Sequence, residues 1–436
     1  MREMKDSEIE WIGEIPKDWS LKKGRYLFVQ RNDRGNDENL QLLSPSQKFG
    51  VIPQSLLEDL TTQTTVKLKE NTDLSTLKTV HKGDFCISLR SFQGGFEYSE
   101  YEGVVSPAYQ IFYKKEDLVN TYYKYIFKDS SFISKMNSYT MSLRDGKNIS
   151  YFDFGNTYLP LPTVCEQQQI ADYLDTQCSE IDATAEDIQK EISLLEEYKK
   201  SVITEAVTKG LNPDAEMKDS GIAWIGEIPK DWDLLKIGYV TKEISDIDHY
   251  MPSDSDDIDK VPYLMIGDLK ENISQIDFES CKYISKKVYR ALSIKSKPEK
   301  GNVIFARYAT ICTVCFVDSE KQLLVSYACL TVKANELIKG RFLFYYFKSN
   351  AFLEEVSQYV KSNTQGNIGK ESLIRAKIVV PKLKEQTQII SYLDSKCSEI
   401  DAIIADKKRQ RGILAEYKKS LIYEYVTGKK EVPINE

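Results

Sequence analysis

The sequence predicts an internal repeat: two similar domains of mixed strands and helices, joined by two long helices that pack against each other. Two duplicated blocks and a helical periodicity lead to this prediction. MKDSEIEWIGEIPKDW at residues 4–19 returns as MKDSGIAWIGEIPKDW at residues 217–232. EQQQIADYLDTQCSEIDA at residues 166–183 returns as EQTQIISYLDSKCSEIDA at residues 385–402, and a helix-like stretch follows each copy. Such self-similarity marks two copies of one structural unit.

The repeat divides the chain into conserved and variable parts. The variable parts share only faint echoes, such as GDFCISLR from Gly83 and GNVIFAR from Gly301, which predict one mixed α/β or α+β fold with two different surfaces. The predicted segments are residues 1–20 (conserved), 21–163 (first variable domain), 164–232 (conserved helix and linker), 233–382 (second variable domain) and 383–436 (conserved helix).

The conserved blocks after each variable part have the pattern of long helices. No proline or glycine occurs from residue 166 to about residue 207, and apolar residues recur mostly four and three positions apart. That spacing is typical of a coiled-coil seam, and some forty residues make a rod of roughly 60 Å. The second copy keeps the seam, but polar DKKRQRG at residues 406–412 interrupts it. A lone helix with such a seam must bury it, and its own duplicate is the obvious partner.

The order of the blocks predicts where the chain ends lie. We call WIGEIPKDW, at residues 11–19 and 224–232, the tryptophan motif. In the middle of the chain a helix precedes this motif, whereas the C-terminal helix has no motif after it. If a twofold axis relates the two halves, the first motif docks near the end of the C-terminal helix. The two ends of the chain are then neighbours.

Composition limits the class of protein. With 436 residues, 41% hydrophobic and 29% charged, the chain is typical of a soluble globular protein of two or three domains. Its charged opening and the absence of a long apolar run argue against a signal peptide or a membrane span. Eight cysteines predict reduced thiols and a cytoplasmic location. The net charge of −7 weighs against a free-standing, strongly basic DNA-binding domain.

The doubled pattern resembles a known family. WxGxIPxxW, a variable segment, E-Q-x-x-I-x-x-Y-L-D and a long helix occur twice in this order, and together they cover essentially the whole chain. This resembles the specificity subunit of type I restriction–modification systems. The resemblance implies two small α/β target-recognition domains on an antiparallel coiled coil, with pseudo-twofold symmetry. Each domain would read one half of a split DNA site.

The same resemblance implies partners. The chain would bind double-stranded DNA and two copies of a methyltransferase subunit, with restriction or translocase subunits as an option and no membrane. S-adenosylmethionine would belong to the methyltransferase subunit, and this chain would hold no cofactor of its own. It would be a non-catalytic specificity subunit.

The residues themselves also argue against catalysis in this chain. The two histidines, His81 and His249, stand in no metal-binding or triad spacing. SPAY at residues 106–109 is only faintly similar to the motif that amino-methyltransferases use, and a buried strand is the favoured explanation. Cys312 and Cys315 form a single CxxC without a second ligand pair, which favours buried thiols over zinc.

Candidates for DNA contact are polar side chains in glycine-containing or arginine-containing loops. Base readout uses arginine for guanine and asparagine or glutamine for adenine, and phosphate contacts use lysine, arginine and hydroxyl groups. The candidates are Arg31, Arg34, Arg90, Ser91, Gln93, Arg144, Lys147, Asn148, Arg307, Tyr308, Asn363, Gln365, Asn367 and Lys370. Ion pairing or plain surface exposure is the alternative for Arg90 and Arg307, and turn chemistry is the alternative for the glycine-containing loops.

The tryptophans have two interpretations. Trp11, Trp19, Trp224 and Trp232 are candidates for a partner-binding surface, because tryptophan is enriched at interface hot spots. The alternative, which we favour, is that the motif staples each domain entrance against the end of a helix.

Two rival functions come from other classes. The acidic composition and the lack of a basic stripe are compatible with a scaffold that binds two protein ligands on a coiled coil. An enzyme with an unrecognised site is the other rival, and binding of S-adenosylmethionine to this chain alone would reveal it. Salt-dependent DNA binding separates the scaffold from the specificity subunit, because phosphate contacts weaken with salt.

Overall fold

The chain folds into two compact units. The computed structural model describes residues 2–35, 40–61, 76–87, 95–115, 117–139, 149–247, 249–255, 259–308, 313–359 and 367–433. Unit 1 consists of Met1–Ile188 and Arg409–Glu436, and unit 2 consists of Gln189–Lys408. Each unit combines one variable segment with a part of each long helix, whereas the predicted segments separate the helices from the variable domains.

The first half of the chain alternates short strands and helices before its long helix. Its elements are β1 (Met4–Asp6), β2 (Glu14–Pro16), β3 (Ser20–Lys23), α1 (Gly24–Leu27), β4 (Phe28–Arg31), β5 (Leu43–Ser46), β6 (Gly50–Pro53), α2 (Gln54–Leu60), β7 (Lys78–Val80), β8 (Phe85–Ile87), β9 (Phe96–Tyr98), β10 (Gly103–Val105), β11 (Gln110–Lys114), α3 (Asn120–Ile126), α4 (Ser130–Ser138), α5 (Tyr151–Asn156), β12 (Tyr158–Leu161) and α6 (Val164–Lys209).

The second half follows the same plan. Its elements are β13 (Met217–Asp219), β14 (Glu227–Pro229), β15 (Asp233–Lys236), α7 (Ile237–Val240), β16 (Thr241–Ser245), β17 (Lys260–Leu264), β18 (Lys282–Ser285), α8 (Lys286–Ser293), β19 (Val303–Ala306), β20 (Val314–Phe316), β21 (Leu324–Val325), β22 (Cys329–Ala334), α9 (Gly340–Lys348), α10 (Asn350–Ser357), α11 (Lys370–Arg375), β23 (Lys377–Val380) and α12 (Leu383–Val426). Short 3₁₀ helices lie at Ile266–Asp268, Ile273–Gln275 and Phe278–Ser280.

Each unit is built around an antiparallel four-stranded sheet with the same strand order. The order is β4-β11-β8-β9 in unit 1 and β16-β22-β19-β20 in unit 2. In the first sheet Ile111 of β11 pairs with Arg31 on one side and with Cys86 on the other. Val332 of β22 pairs in the same way with Ile244 and Val303. The prediction that the variable parts share a fold is confirmed.

Aromatic helices pack on these sheets. The tyrosine-rich stretches fold as α3 and α9, whose Tyr122, Tyr123 and Tyr346 are fully buried. In unit 1, the ring of Phe28 meets those of Phe85 and Phe112 edge-on, with centroids 5.9 and 5.4 Å apart. Such edge-to-face pairs stabilise a core beyond the area that they bury. Both stretches therefore form part of the domain cores.

The tryptophan motif forms the same hairpin in both units. In unit 1, β1 pairs with β2, and in unit 2, β13 pairs with β14 in the identical register. Gly13 and Gly226 turn these hairpins with φ of 69° and 70°, a left-handed conformation that glycine adopts without steric cost. Equal sequence has therefore given equal local structure at both domain entrances.

Within unit 1 the two long helices run antiparallel. Tyr173 of α6 stacks on Tyr425 of α12 with ring centroids 4.6 Å apart. Nearer the C-terminal end of this part of α6, Asp182 accepts hydrogen bonds of 2.7 and 2.6 Å from Lys418. The partner numbers fall on α12 as they rise on α6, which defines antiparallel packing. Helix α12 continues unbroken through residues 406–412.

Unit 2 repeats this pairing with the other parts of the helices. Lys199 of α6 contacts Asp401 of α12 at 2.7 Å, and Lys407 forms a salt bridge of 2.5 Å with Glu191. The apolar core of unit 2 includes Ile203 and Leu393 from the two helices. Together with the sheets, these contacts confirm the predicted fold class of mixed α/β domains on two long antiparallel helices. No helix among the described residues is long and apolar enough to cross a membrane.

Candidate nucleic-acid interface

In unit 2, two of the predicted DNA-contact segments meet at one edge of the sheet. Arg307 and Tyr308 directly follow β19, and Tyr308 forms an isolated antiparallel bridge with Asn367. The amide of Ile368 donates a 3.0 Å hydrogen bond to the Arg307 carbonyl. Lys370 stands at the start of α11, two residues further on. The fold thus brings the candidates Arg307 and Tyr308 close to Asn367 and Lys370, which lie about sixty residues later in the sequence.

Arg307 is held at this edge by an ion pair. Its Nη1 donates a 2.6 Å hydrogen bond to Asp246, which directly follows β16. Its guanidinium carbon lies 5.3 Å from the centre of the Tyr308 ring. Its Nε is buried and has no hydrogen-bond partner among the described residues. The ion pair that the sequence left as the alternative is present, and it leaves part of the donor set unused.

Other residues at the same edge were missed by sequence reasoning. The rings of His249 and Tyr327 are 3.9 Å apart. Ser326 is fully buried, and its hydroxyl lacks a partner among the described residues. These residues and Asp246 follow or precede buried strands, as Arg307 does. Their position at strand ends could have identified these residues from the sequence, but only if the strand boundaries had been known.

In unit 1, Arg31 ends β4 and is fully engaged by carboxylates. Its Nε and Nη2 donate hydrogen bonds of 2.7 and 3.2 Å to Asp84, and its Nη1 donates a 2.8 Å bond to Asp33. Its guanidinium carbon lies 4.4 Å from the Tyr113 ring centre. Burial raises the pKa of Asp84, and the hydrogen bond from Arg31 opposes this effect. Arg31 therefore holds the carboxylates of Asp84 and Asp33 together at the edge of the sheet.

Arg34 is the more available arginine of this loop. It is exposed, and its Nη1 donates a 2.6 Å hydrogen bond to the Thr76 carbonyl. It forms a bridge with Lys78, whose Nζ donates a 2.7 Å bond to the Tyr109 carbonyl. Burial and the neighbouring Arg34 charge lower the pKa of Lys78. Two cations therefore lie side by side beside the turn that follows β10, and Lys78 was not predicted.

That turn corrects the interpretation of SPAY. Residues 106–109 do not form a buried strand. The amide of Tyr109 donates a 3.1 Å hydrogen bond to the Ser106 carbonyl, and residues 106–108 are exposed. The turn connects β10 to β11, which belong to different sheets, and its proline has the fixed φ that suits a turn.

Several candidates lie outside the described residues. These are Arg90, Ser91, Gln93, Arg144, Lys147, Asn148, Asn363 and Gln365. The described residues beside them lead to the same edges of the sheets. Gln110, the first residue of β11, accepts a 2.7 Å hydrogen bond from the Tyr151 amide and donates a 3.3 Å bond to the Ile149 carbonyl. The segment that precedes α5 is thereby tied to the sheet edge, as Asn367 is in unit 2.

Conserved acidic residues clamp the tryptophans. Trp19 Nε1 donates a 2.9 Å hydrogen bond to Glu166 at the start of α6, and Trp232 Nε1 donates a 2.8 Å bond to Glu385 at the start of α12. Both indoles are buried. The stapling role that we favoured is what the structure supports for this pair.

The other two tryptophans differ from each other. Trp11 is buried edge-on against Phe132, with 5.4 Å between the ring centroids, and its Nε1 has no hydrogen-bond partner among the described residues. Trp224 is partly exposed and donates a 3.1 Å hydrogen bond to Glu355. Of the four, Trp224 is therefore the most accessible to a partner.

The remaining letters of E-Q-x-x-I-x-x-Y-L-D mount the variable domain on the helix. Buried Gln167 accepts a 2.9 Å hydrogen bond from the Val119 amide, and buried Gln386 accepts a 2.8 Å bond from the Lys339 amide. At the aspartate position, Tyr345 donates a 2.6 Å hydrogen bond to Asp394. Tyr125 makes the equivalent 2.5 Å bond to Asp175. The two modules are attached to their helices by the same contacts.

The chain ends meet in unit 1. Lys429 Nζ donates hydrogen bonds of 2.7 and 3.1 Å to the carbonyls of Ile12 and Glu14 in the first tryptophan motif. The hydroxyl of Tyr423, near the end of α12, donates a 3.1 Å bond to the Ile12 carbonyl. The predicted docking of this motif beside the end of the C-terminal helix is confirmed.

The cysteines are packing residues where the structure describes them. Cys178 and Cys397, which occupy equivalent positions on the two helices, are both buried. Cys315 is buried, and burial raises the pKa of its thiol to about 12; Cys312 lies outside the described residues. Among the described residues, no group of histidine, cysteine, aspartate and glutamate side chains could hold a metal ion.

Comparison with known proteins agrees with the duplicated mounts. A family model described as the type I restriction modification DNA specificity domain matches residues 8–194 and again residues 229–410. The chain belongs to this family. It is similar to the type I restriction enzyme MjaVIII specificity subunit of Methanocaldococcus jannaschii, with 28% identity over 68% of each chain. It is also similar to the EcoBI specificity subunit of Escherichia coli, with 22% identity over 62% of this chain and 58% of that protein.

A solved structure shares the fold. A chain from a study of complex assembly and conformational transition of the type I restriction–modification system matches with a TM-score of 0.66. The match covers 95% of this chain and 99% of that chain at 14% identity. The resemblance stated from the sequence is thus confirmed at the level of family and fold.

Proposed function

We propose that this chain reads a bipartite DNA site, one half-site with each variable domain, and recruits two methyltransferase subunits. The observation that carries the proposal is the duplicated mount. Each four-stranded sheet presents a polar loop edge, and each sheet is fixed to a helix by the same tryptophan–glutamate and tyrosine–aspartate contacts. Identical attachments combined with different loops suit two recognition domains that bind DNA in the same orientation but contact different base sequences.

The chemistry of the loop edges fits base and phosphate contact. In unit 2, exposed Asn367 has the donor and acceptor pair that adenine requires, and the guanidinium of Arg307, held by Asp246, lies beside it. In unit 1, Arg34 and Lys78 place two positive charges together. Arg31, whose three side-chain nitrogens each donate to a carboxylate, contributes to this surface by positioning Asp33 and Asp84.

Recruitment of two identical partners is supported by a repeated apolar surface on the helices. On α6, Leu194 and Tyr198 are 64% and 51% exposed. On α12, Ile413 and Tyr417 occupy the equivalent repeat positions and are 62% and 51% exposed. Each pair is spaced i, i+4 and so lies on one helix face. Because these apolar pairs are exposed to solvent at matched repeat positions, we assign them to the methyltransferase subunits.

In this proposal the methyltransferase subunits hold S-adenosylmethionine and carry out the transfer, while this chain selects the site. Mapping of methylated positions in a genome that expresses the chain with its methyltransferase tests the proposal. The expected result is a single split motif of two short half-sites with a constant spacer.

Exchange of one variable domain sharpens the test. Replacing residues 21–163 with the equivalent segment of another family member should change one half-site and leave the other as it was. Methylation without a split motif, or a change in both halves after the exchange, would contradict independent readers.

A further inference from the structure

A second positive surface lies in each unit where the variable domain joins its helix. In unit 1, Lys23 at the end of β3 pairs with Tyr158 of β12, and its Nζ lies 5.3 Å from the centre of that ring. Arg25 follows on α1, with its guanidinium carbon 5.2 Å from the ring centre of Tyr26. Together with Leu21 and Lys22, these residues line a groove.

The equivalent surface of unit 2 has a similar make-up. Lys236 at the end of β15 pairs directly with Lys377 of β23. Tyr239, the repeat equivalent of Tyr26, lies on α7, and Arg375 ends α11. The two tyrosines are 58% and 66% exposed, so neither side chain serves the core. We call Lys23, Arg25, Tyr26 and Tyr158 in unit 1, and Lys236, Tyr239, Arg375 and Lys377 in unit 2, the junction surfaces.

The cations of both junction surfaces lack anionic partners in the part of the chain that the structure describes. No carboxylate of the described residues forms a salt bridge with the five cations of the junction surfaces, which are Lys23, Arg25, Lys236, Arg375 and Lys377. Elsewhere the same units neutralise their cations; Lys199, for example, holds two carboxylates. Like charges directly opposite each other across two strands are destabilising, as at Lys236 and Lys377. An unfavourable pair of this kind is relieved by an anionic ligand.

The position of the junction surfaces indicates which kind of anion they bind. Helix α5 begins after the predicted DNA-contact segment 142–148 and ends at Asn156, which accepts a hydrogen bond from Arg25. Helix α11 begins at the predicted contact residue Lys370 and ends at Arg375. Six helical residues span about 9 Å, which is roughly the axial rise of two to three nucleotides along one strand of duplex DNA. In both units a single short helix thus connects the loop edge to the junction surface.

We propose that the two junction surfaces bind the phosphodiester backbone of duplex DNA beside each half-site. This inference rests on the proposed function and adds to it a contact that carries no base information. Lysine and arginine supply the charge, and the exposed tyrosine hydroxyls supply hydrogen bonds to phosphate oxygens.

The test is the salt dependence of DNA binding by the complex of the full-length chain with its methyltransferase. K23Q/K236Q removes one cation from each junction surface. With a slope of about −0.9 per phosphate contact, the variant should lose about 1.8 from the slope of log affinity against log salt. Between 50 and 200 mM salt, affinity should then fall about 12-fold less than for the natural chain. The change should be equal on cognate and unrelated DNA.

Two control variants accompany this one. K23R/K236R keeps the charge and should keep the slope. K200Q/K384Q removes two exposed lysines from the helices instead and should also leave the slope unchanged.

The outcomes separate this inference from the proposed function. An unchanged slope for K23Q/K236Q overturns the inference and leaves the proposed function standing. Loss of methyltransferase subunits from that variant, with the slope of the remaining complex unchanged, also overturns it and assigns the surface to a protein partner. If the natural complex binds no DNA, the proposed function itself fails.

Discussion

Trp232 donates a 2.8 Å hydrogen bond from its buried indole to the carboxylate of Glu385, which fixes the second domain entrance to the first turn of α12. The same bond, at 2.9 Å, joins Trp19 to Glu166 in unit 1. These bonds explain why the two motifs recur together. A tryptophan without its glutamate leaves a buried donor unpaired, and a glutamate without its tryptophan loses the indole donor.

Loss of this carboxylate should destabilise unit 2. Glu385→Ala leaves the buried Trp232 Nε1 without an acceptor, which costs about 1–3 kcal/mol. Glu385→Gln keeps an acceptor oxygen at the same place and should lose much less. Urea unfolding of both variants measures the difference, and equal midpoints for Glu385→Ala and the natural chain would refute the clamp.

The contact between the chain ends should be sensitive at Gly428. This residue has φ of 73°, and an added Cβ would lie 2.6 Å from Pro16 and 2.9 Å from Trp19. Gly13, in the same unit, has φ of 69° but would meet only ordinary contacts of 3.5 Å or more. Both alanine variants lose stability because alanine is strained at a positive φ. Gly428→Ala should lose at least ~1 kcal/mol more than Gly13→Ala, because its Cβ also overpacks the site. Thermal unfolding that ranks them equally would show that the ends are loosely held.

The two arginines of the first loop should behave in opposite ways. Arg31→Ala leaves the buried Asp84 carboxylate without its cation and should cost roughly 3 kcal/mol of stability. Arg34→Ala, at an exposed position, should leave the unfolding midpoint nearly unchanged and weaken DNA binding by the methyltransferase complex. Denaturation and binding measured on both variants give the answer; a stable Arg31→Ala with weakened binding would assign the contact to Arg31.

Acid should remove a stabilising interaction of unit 2 at Glu271. Burial opposes its ionisation, but Lys348 and Lys199 lower the pKa of this carboxyl to about 2. Its contribution is therefore present above its ordinary pKa near 4.5 and is lost as the pH falls towards 2. Burial lowers the pKa of Lys348 in turn, which offsets part of the gain. Glu271→Gln should be less stable than the natural chain at pH 7, and the difference should shrink below pH 4.5. A difference that is constant with pH would contradict this ion pair.

The exposed apolar pairs should control how many methyltransferase subunits bind. Leu194→Ser alone should reduce the complex from two methyltransferase copies to one, and Leu194→Ser with Ile413→Ser should release both. Ile294→Ser removes a more exposed apolar side chain outside the helices and is the control. Native mass spectrometry counts the subunits. Two copies retained by the double variant would place the docking surface elsewhere.

Much of the architecture could be predicted because it depends on periodicity and duplication. The repeated motifs predicted equal mounts, the apolar spacing predicted helices that became α6 and α12, and block order predicted the meeting of the chain ends. The seam interruption at residues 406–412 did not break α12, because polar side chains leave the backbone hydrogen bonds of a helix intact. The prediction of a buried strand at SPAY was wrong, since a pattern of four residues cannot distinguish a strand from a turn between two strands.

What the sequence by itself determined is the pair of modules, their identical attachment and their family. Only the tertiary structure decided which side chains meet. It engaged Arg31 with Asp84 and Asp33, left Arg34 beside Lys78, and set Tyr308 against Asn367. The physical reason is range: helical spacing and repeats are written in neighbouring residues, whereas a charge becomes paired or free according to partners that packing brings from distant parts of the chain.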